Sequence, residues 1–235
     1  NSWTWLGPGN IGGRVRSILI HPTLTNILWC GAVNGGVWKS TDYGRTWEPI
    51  FDDQPTGSVG ALAIAPSNPS IIYVGSGEGL RRPDLSTGDG IYKSTDGGHS
   101  WQHLGLRDGQ QIGAILVDPH DPNRVFAAVV GHPYGPNPER GVFRSLDGGV
   151  NWQKALYKDD NTGAIDLAFD PSNPQIIYAD SGQARRLADE TRDDARLAAH
   201  HRGRDAARTA LDTARRGEPQ NQIAFVAERS RHKHD

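Results

Sequence analysis

The chain has 235 residues and a formal net charge of −2, with 29 glycines, 15 prolines, seven tryptophans, one cysteine and no methionine. A charge this small gives no general attraction to nucleic acid or to an anionic membrane surface. No run of eighteen apolar residues is present, so no segment of the sequence predicts a membrane span. The lone Cys30 excludes an internal disulfide. This composition is typical of a turn-rich β protein of one large domain or two small ones.

Four similar segments follow one another, and each opens with two short apolar strands. The first strands end at a proline, which cannot donate to a central ladder, and read RVRSILIHP (14–22), VGALAIAP (59–66), IGAILVDP (112–119) and TGAIDLAFDP (162–171). The second strands read ILWCGAV (27–33), IIYVGSG (71–77), VFAAVVG (125–131) and IIYADSG (176–182).

A third strand then runs into a turn with the pattern Ser-x-Asp-x-Gly-x-x-Trp, which occurs three times, and a fourth strand leaves it. We call these three segments the clasp turns; their pattern residues are Ser40, Asp42, Gly44 and Trp47; Ser94, Asp96, Gly98 and Trp101; and Ser145, Asp147, Gly149 and Trp152. Aspartate in a turn accepts hydrogen bonds from the following backbone N–H groups. Glycine permits a positive φ, and tryptophan supplies a large packing surface.

The second clasp turn, STDGGHS, also invites a catalytic interpretation because serine, aspartate and histidine lie close together. His99, however, is outside the shared pattern, since Arg45 and Val150 occupy its place in the other two turns. The serines recur at intervals of 54 and 51 residues, and a catalytic group is rarely needed three times in one chain. The repetition favours a structural role for the clasp turns.

Four-stranded units of about fifty residues predict an all-β propeller. The sequence predicts about three and a half blades, a partial ring, over residues 1–183. Residues 184–235 are rich in alanine and arginine and contain no tryptophan. This tail has helix-forming composition but few large apolar residues. Two interpretations stay open: a helical or disordered tail outside the propeller, or translation of the gene in a wrong frame.

The stretches GPGNIGGRV, GGVWKSTDYGRTW, APSNPSIIYVGSGE, GDGIYKSTDGGHSW, NPERGVFRSLDGG and TGAIDLAFDPSNP together resemble the bacterial sortilin-N-terminal-like proteins with BNR repeats, also called Asp-boxes. Many of these proteins are labelled glycosyl hydrolases. The resemblance covers about residues 3–182. It implies a β-propeller with more blades than this chain holds, and a secreted or cell-envelope location.

The chain is also distantly similar to xyloglucan-hydrolysing enzymes and sialidases. The resemblance to the xyloglucan-hydrolysing enzymes implies a catalytic aspartate in a turn after the second strand of the first blade. The matching turn here is Ala32-Val33-Asn34-Gly35-Gly36, and Val33 takes the place of the aspartate. Valine cannot act as a general base. Sialidases additionally require an arginine cluster, and no arginine triad can be assigned across these blades.

Candidate ligand-binding residues lie in two long loops that follow the second strands of the second and third units. The catalytic candidates, should the protein be an enzyme, are Glu78, Asp89 and Glu139, since a glycoside hydrolase needs two carboxyl groups about 5–10 Å apart. The ligand-binding candidates are Arg81, Arg82, His132, Tyr134 and Arg140. The Asp52/Asp53 and Asp159/Asp160 pairs lack the ligand spacing of a calcium loop, so we predict neither a metal nor a cofactor.

The sequence therefore predicts a non-catalytic, ligand-binding or scaffold propeller module of the sortilin-like class, with a peptide, protein or glycan ligand. The alternative is a BNR-type glycoside hydrolase that acts on a polysaccharide and is incomplete in this chain. Nucleic acid is not an expected partner. Self-association through open blade edges is a further expectation, because unpaired strands template pairing with another chain.

Overall fold

The computed structural model describes residues 13–80 and 85–183 and, for their backbone only, residues 223–226. All the regular elements in these parts of the chain are β-strands. They form four sheets that follow one another along the sequence, three of them antiparallel and the fourth mixed. The predicted all-β propeller arc is therefore confirmed. Within the same described parts, no helix is long and apolar enough to cross a membrane.

Three of the sheets are complete four-stranded meanders in which each strand pairs with the next. Blade 1 contains β1 (Arg14–Ile20), β2 (Leu28–Val33), β3 (Gly36–Ser40) and β4 (Glu48–Pro49). Blade 2 contains β5 (Val59–Ala65), β6 (Asn68–Ser76), β7 (Ile91–Ser94) and β8 (Gln102–His103). Blade 3 contains β9 (Ile112–Val117), β10 (Val125–Val129), β11 (Gly141–Ser145) and β12 (Gln153–Leu156).

Blade 4 departs from the meander. It contains β13 (Thr162–Asp170), β14 (Asn173–Gln183) and β15 (Ile223–Val226), and β15 pairs with β14 in the parallel direction. The prediction of a helical, disordered or out-of-frame tail stays a prediction, since 223–226 is the one part of it that the structure describes. The Ile-Ala-Phe-Val segment has β-forming composition, and the edge of β14 offers unpaired backbone groups. The rest of the predicted tail, 184–222 and 227–235, lies outside the described residues.

The core lies between blades rather than within one central layer. Trp29 and Val37 of blade 1 pack with Val59 and Leu62 of blade 2. The junctions between blades 2 and 3 and between blades 3 and 4 repeat this arrangement with equivalent residues. Each sheet is therefore buried by the blades next to it. Contacts of this kind, between neighbouring repeats, are typical of repeat architectures.

The innermost strands approach one another so closely that some positions exclude a side chain. A Cβ atom on Gly113 would lie 2.2 Å from the Ile165 carbonyl oxygen, and one on Gly60 would lie 2.6 Å from the Ile112 carbonyl oxygen. Both glycines follow the first residue of their strand and lie at or next to a register shift of the inner ladder. These small residues set the spacing between successive blades.

The three clasp turns share one hydrogen-bonding geometry. In the second turn, Ser94 Oγ donates to Asp96 Oδ1 at 2.7 Å, and Asp96 accepts from the backbone N–H of Ser100 at 2.9 Å. The Gly98 N–H donates to Ser94 Oγ at 2.8 Å, with Gly98 at φ 97°. The same bonds recur, with distances within 0.1 Å, in the turns built on Ser40 and Asp42 and on Ser145 and Asp147.

Candidate functional site

The connections between strands divide into two ends of the propeller arc. Since the strands of each blade alternate in direction, the clasp turns lie at one end. The loops from second to third strands and the loops between blades lie at the other end. We call the second end the loop face; it comprises residues 34–35, 50–58, 77–90, 104–111, 130–140 and 157–161, of which 81–84 are not described.

Backbone hydrogen bonds join neighbouring loops of the loop face. The Gly77 N–H donates to the Ser58 carbonyl oxygen at 2.9 Å, and the Val130 N–H donates to the Gln111 carbonyl oxygen at 2.9 Å. The Asn137 N–H donates to the Asp160 carbonyl oxygen at 2.8 Å. These bonds connect each loop between blades to the loop after the second strand of an adjoining blade.

Glu78 is buried at the base of the 77–90 loop, where its side chain is 1 % exposed. Its Oε2 accepts from Arg14 Nη2 at 2.5 Å, and its Oε1 accepts from the Ser86 N–H at 2.9 Å. Arg16 Nε donates to the Glu78 carbonyl oxygen at 3.0 Å. This predicted carboxylate candidate thus connects the inner strand of blade 1 to a loop of blade 2.

Gln111 completes the support of that loop, and its importance is not visible in the sequence. The side chain is 1 % exposed, and its Oε1 accepts from the Glu78 N–H at 2.6 Å and from the Gly79 N–H at 3.2 Å. Its Nε2 donates to the Ser86 carbonyl oxygen at 2.8 Å. A glutamine in a polar inter-blade loop carries no sequence signal that would distinguish such a role.

Asp89, the second carboxylate candidate, lies at the end of the same loop among different partners. Its Oδ2 accepts from Tyr92 Oη at 2.6 Å and from Arg107 Nη1 at 3.4 Å. Burial, followed by the hydrogen bond to Asp89, raises the pKa of Tyr92 above its ordinary range. The phenol therefore remains a neutral donor to Asp89 at every physiological pH.

Glu139, the third candidate, belongs to the loop of blade 3. Its Oε2 accepts from the Gly109 N–H at 2.8 Å. The neighbouring Asn137 is fully buried; its Oδ1 accepts from the Glu139 N–H at 2.7 Å, and its Nδ2 donates to the Asp108 carbonyl oxygen at 2.7 Å. Each of the three carboxylates thus has its own set of supporting contacts, in loops of two different blades.

The predicted arginines fall into two groups. Arg140 is fully buried, and its guanidinium donates to the carbonyl oxygens of Val130, His132 and Gly135. This side chain organises the 130–140 loop from within, and its predicted role in ligand binding stays a prediction. Arg81 and Arg82 lie outside the described residues.

The remaining two candidates lie in the loop that Arg140 supports. Tyr134 is 70 % exposed, the largest exposed fraction among the large apolar and aromatic side chains described. His132 is half-buried, and its carbonyl oxygen is one of the Arg140 acceptors. An exposed aromatic ring on a supported loop is a suitable surface for stacking against a sugar ring or a peptide side chain.

The turn that resembles the catalytic turn of xyloglucan-hydrolysing enzymes holds no carboxylate of its own. Val33 is 4 % exposed, and Asn34 adopts a left-handed conformation with φ 57°. An acid from another loop lies beside this turn: Asp52, between blades 1 and 2, has its Oδ1 3.6 Å from the position of a Cβ on Gly36. Asp52 is exposed.

A cavity of about 380 Å³ lies between the inner strands of all four blades. Small and aliphatic residues of the four inner strands line it, with Arg16 from blade 1 and Asp166 from blade 4 as its charged members. Asp166 accepts the Leu167 N–H through Oδ1 at 2.9 Å. Among the described residues, no group of three or more histidine, cysteine, aspartate or glutamate side chains converges on a point where a metal ion could bind.

Comparisons with known proteins link this arc to xyloglucanases. The chain is 26 % identical over 206 residues to a xyloglucanase of Paenibacillus sp., a match that covers 76 % of the chain and 19 % of the relative. It is 26 % identical over 210 residues to xyloglucanase Xgh74A of Acetivibrio thermocellus, covering 75 % of the chain and 24 % of the relative. The chain thus spans about a fifth to a quarter of these relatives. No family model matches the sequence.

Two solved structures share the fold. An ancestral GH74 enzyme superimposes with a TM-score of 0.58 and 24 % identity, over 73 % of this chain and 22 % of that one. The GH74 enzyme of Niastella koreensis superimposes with a TM-score of 0.51 and 22 % identity, over 68 % of this chain and 25 % of that one. The arc is therefore a propeller similar to those of glycoside hydrolases. This favours the alternative interpretation over a sortilin-like module.

Proposed function

We propose that the protein is a glycoside-hydrolase-like propeller that binds a xyloglucan-type β-glucan at the loop face. The observation that carries the proposal is the match of three quarters of the chain to xyloglucanases from two bacterial genera. The loop face supports it physically, because loops joined by backbone hydrogen bonds present an exposed aromatic ring, Tyr134, beside polar groups. A polysaccharide ligand implies action outside the cytoplasm, in the secreted or envelope compartment.

Hydrolysis by the whole protein is part of this proposal, and it needs a carboxyl pair across the loop face. Asp52 is the first choice, because it lies beside the turn in which Val33 replaces the expected aspartate. Glu78 is a weaker choice, because its carboxylate is buried and bound by Arg14. Asp89 and Glu139 are each held by a donor that a substrate would have to displace or share.

A second candidate function is glycan binding without hydrolysis. The buried Val33 favours it, since an apolar side chain at the position of the base removes the group that activates water. General acid–base assistance contributes roughly 10²–10⁴-fold to such reactions. The two functions share a ligand and differ only in turnover.

The test is to incubate the purified chain with xyloglucan, mixed-linkage β-glucan and an unrelated α-glucan. Affinity electrophoresis measures binding, and a reducing-end assay measures cleavage. Retardation by xyloglucan but not by the α-glucan supports the proposal, and release of reducing ends that Asp52→Asn abolishes would assign the hydrolase. Equal mobility in all three gels would refute glycan binding by this chain.

A further inference from the structure

The connection between blades 2 and 3 contains a residue other than glycine in the left-handed backbone region. Gln110 has φ 52°, and the N–H of the next residue, Gln111, donates to the Gly109 carbonyl oxygen at 2.5 Å. Backbone strain of this kind persists only where the surroundings hold it, and it is concentrated at active sites and ligand-binding segments. In this protein the turn is held against the 77–90 loop of the loop face.

Both glutamines of this turn bond to the base of the 77–90 loop. The Gln110 carbonyl oxygen accepts from the Gly88 N–H at 3.0 Å. The Gln111 side-chain amide accepts from the backbone of residues 78–79 and donates to the Ser86 carbonyl oxygen. The connection between blades 2 and 3 thus joins the first residues of the loop to its returning part.

Three glycines let the loop lie directly on the backbone of this connection. A Cβ atom on Gly77 would lie 2.2 Å from the Gln110 carbonyl oxygen, and one on Gly88 would lie 2.4 Å from the same atom. One on Gly79 would lie 2.7 Å from the Ile112 carbonyl oxygen. Only glycine permits such a close approach, and the Gln111 amide supplies the side-chain hydrogen bonds at this contact.

The returning part of the loop, held in this way, presents polar groups to solvent. Thr87 is exposed, the Asp89 side chain is 23 % exposed, and Arg107 of the neighbouring 104–111 loop is 64 % exposed. Arg107 Nη1 and Asp89 Oδ2 are 3.4 Å apart, longer than the usual distance of about 2.7–2.9 Å for such a pair. Both groups can therefore bond to a ligand as well.

A carboxylate beside a guanidinium suits the hydroxyl groups of a sugar ring. The carboxylate only accepts hydrogen bonds and the guanidinium only donates them, whereas each hydroxyl group can do both. Two neighbouring hydroxyl groups can therefore bond to Asp89 and Arg107 at once. This surface lies at the junction of blades 2 and 3, which has described blades on both sides.

We propose that Thr87, Asp89 and Arg107 form a subsite for the hydroxyl groups of a sugar ring, and that Gln111 is the positioning residue that holds this subsite in shape. The inference rests on the proposed glycan-binding function and adds a contact surface to the one at Tyr134. Gln111 is 1 % exposed, so it acts through the backbone of the 77–90 loop and not by contact with the ligand.

The subsite is tested by calorimetric titration of xyloglucan into the full chain and its Arg107→Ala variant. We expect binding to weaken by about tenfold with an unchanged melting temperature, because the side chain is largely exposed. Arg45→Ala is the matched control, since Arg45 is also exposed but lies on the first clasp turn, at the opposite end of the arc. Equal affinity of Arg107→Ala and the wild type would overturn the subsite.

The positioning role is tested by Gln111→Ala, which leaves buried N–H groups of residues 78–79 without their side-chain acceptor. We expect binding to weaken by about tenfold and hydrogen exchange to accelerate in residues 85–90. Tyr73→Phe controls for general destabilisation, because it removes a buried hydrogen bond to the Gly148 carbonyl oxygen at the clasp-turn end. It should lower the melting temperature and leave both the binding and the exchange of residues 85–90 unchanged.

Gln111→Glu adds a rescue test that a merely structural role would not pass. An ionised carboxylate cannot donate to the Ser86 carbonyl oxygen, whereas a protonated carboxyl group can. We expect binding by this variant to recover between about pH 8 and about pH 5, while wild-type binding stays constant. Weak binding at both pH values, or a Gln111→Ala variant that binds like the wild type, would overturn the positioning role.

Failure of the proposed function gives a different result from failure of this inference. A wild-type chain that does not bind xyloglucan would refute the glycan function and the subsite together. The exchange rates of residues 85–90 in Gln111→Ala and Tyr73→Phe would still decide whether Gln111 holds the loop. Wild-type binding that neither Arg107→Ala nor Gln111→Ala weakens would keep the glycan function and refute the subsite.

Discussion

The indole Nε1 of Trp101 lies 2.6 Å from the carbonyl oxygen of Ile50, so the clasp turn of blade 2 is bonded to the end of blade 1. The same ring packs edge-on against Phe51 at a centroid distance of 5.2 Å. Gly98 brings this about, because a Cβ at that position would lie 2.5 Å from Ile50 Cδ1. The clasp turns therefore join blades as well as strands.

We expect Trp101→Phe to loosen the junction between blades 1 and 2. It removes one hydrogen-bond donor and leaves the Ile50 carbonyl oxygen unpaired, which costs about 1 kcal/mol of unfolding free energy. Hydrogen exchange should accelerate in both blades. In the matched variant Trp47→Phe, whose lost bond lies within its own turn, faster exchange should be confined to blade 1. The same exchange pattern in both variants would contradict an inter-blade role.

The blades could be predicted from the sequence, whereas the contacts of the loop-face residues could not, for physical reasons. Strand alternation and the prolines define the ladders locally, so β5 and β9 begin at the predicted residues and end within two of the predicted prolines. The role of Gln111 depends instead on which loop the next blade brings beside it. Arg140 is polar and lies in a loop, which suggests exposure, yet carbonyl groups from its own loop surround it.

The fourth blade shows a different limit. The apolar alternation of β13 and β14 predicted their pairing correctly. The strand that pairs next with β14 is separated from it by 39 residues with a composition unlike the blades, and it runs parallel instead of antiparallel. From the repeats, the next strand is expected to pair antiparallel with β14. The repeats give no information on a strand such as β15 that does not follow their pattern.

We expect Asp96→Ala to destabilise the fold while leaving ligand binding intact. The carboxylate accepts three hydrogen bonds, from Ser94 Oγ and from the backbone and side chain of Ser100. The turn is largely exposed, so the loss should be about 1 kcal/mol, the ordinary value for a hydrogen bond. His99→Ala, an exposed change in the same turn, is the control and should have almost no effect on the melting temperature. Loss of glycan binding at unchanged melting temperature would instead indicate a functional turn.

Acid should destabilise the clasp turns within a defined pH range. Hydrogen bonds from the backbone and side chain of Thr46 lower the pKa of Asp42 from 3.8 to about 2, and equivalent bonds from Asn151 lower that of Asp147 to about 2. A carboxyl group with a lowered pKa stabilises the fold above its unfolded pKa and loses this effect as pH falls through the folded value. We therefore expect urea midpoints to fall between pH 4 and pH 2. The decline should be shallower in an Asp42→Asn/Asp147→Asn variant, and parallel curves would contradict the assignment.

The ion pair between Arg14 and Glu78 should show coupling in a double-mutant cycle. Glu78 is 1 % exposed, whereas the Arg14 side chain is 53 % exposed, so solvent screens the pair from one side. We expect Arg14→Ala to cost about 1–2 kcal/mol, below the range for a fully buried pair. Arg14→Ala/Glu78→Gln should cost less than the sum of the single changes. Arg45→Ala, on an exposed clasp turn, is the control, and strictly additive losses would show that the contact contributes nothing.

We expect Tyr134 to contribute to glycan binding at the loop face. Its ring is 70 % exposed on a loop that the buried Arg140 supports, so Tyr134→Ala removes a stacking surface without opening the core. We expect xyloglucan binding to weaken by about tenfold, which corresponds to roughly 1.4 kcal/mol, with an unchanged melting temperature. Tyr43→Ala is the matched control, because Tyr43 is also a tyrosine, is 61 % exposed and lies on the first clasp turn at the opposite end of the arc. Affinity electrophoresis of the three proteins in xyloglucan gels makes the comparison directly. Equal weakening by both changes would indicate non-specific adsorption to tyrosine, and no weakening by Tyr134→Ala would remove the 130–140 loop from the glycan site.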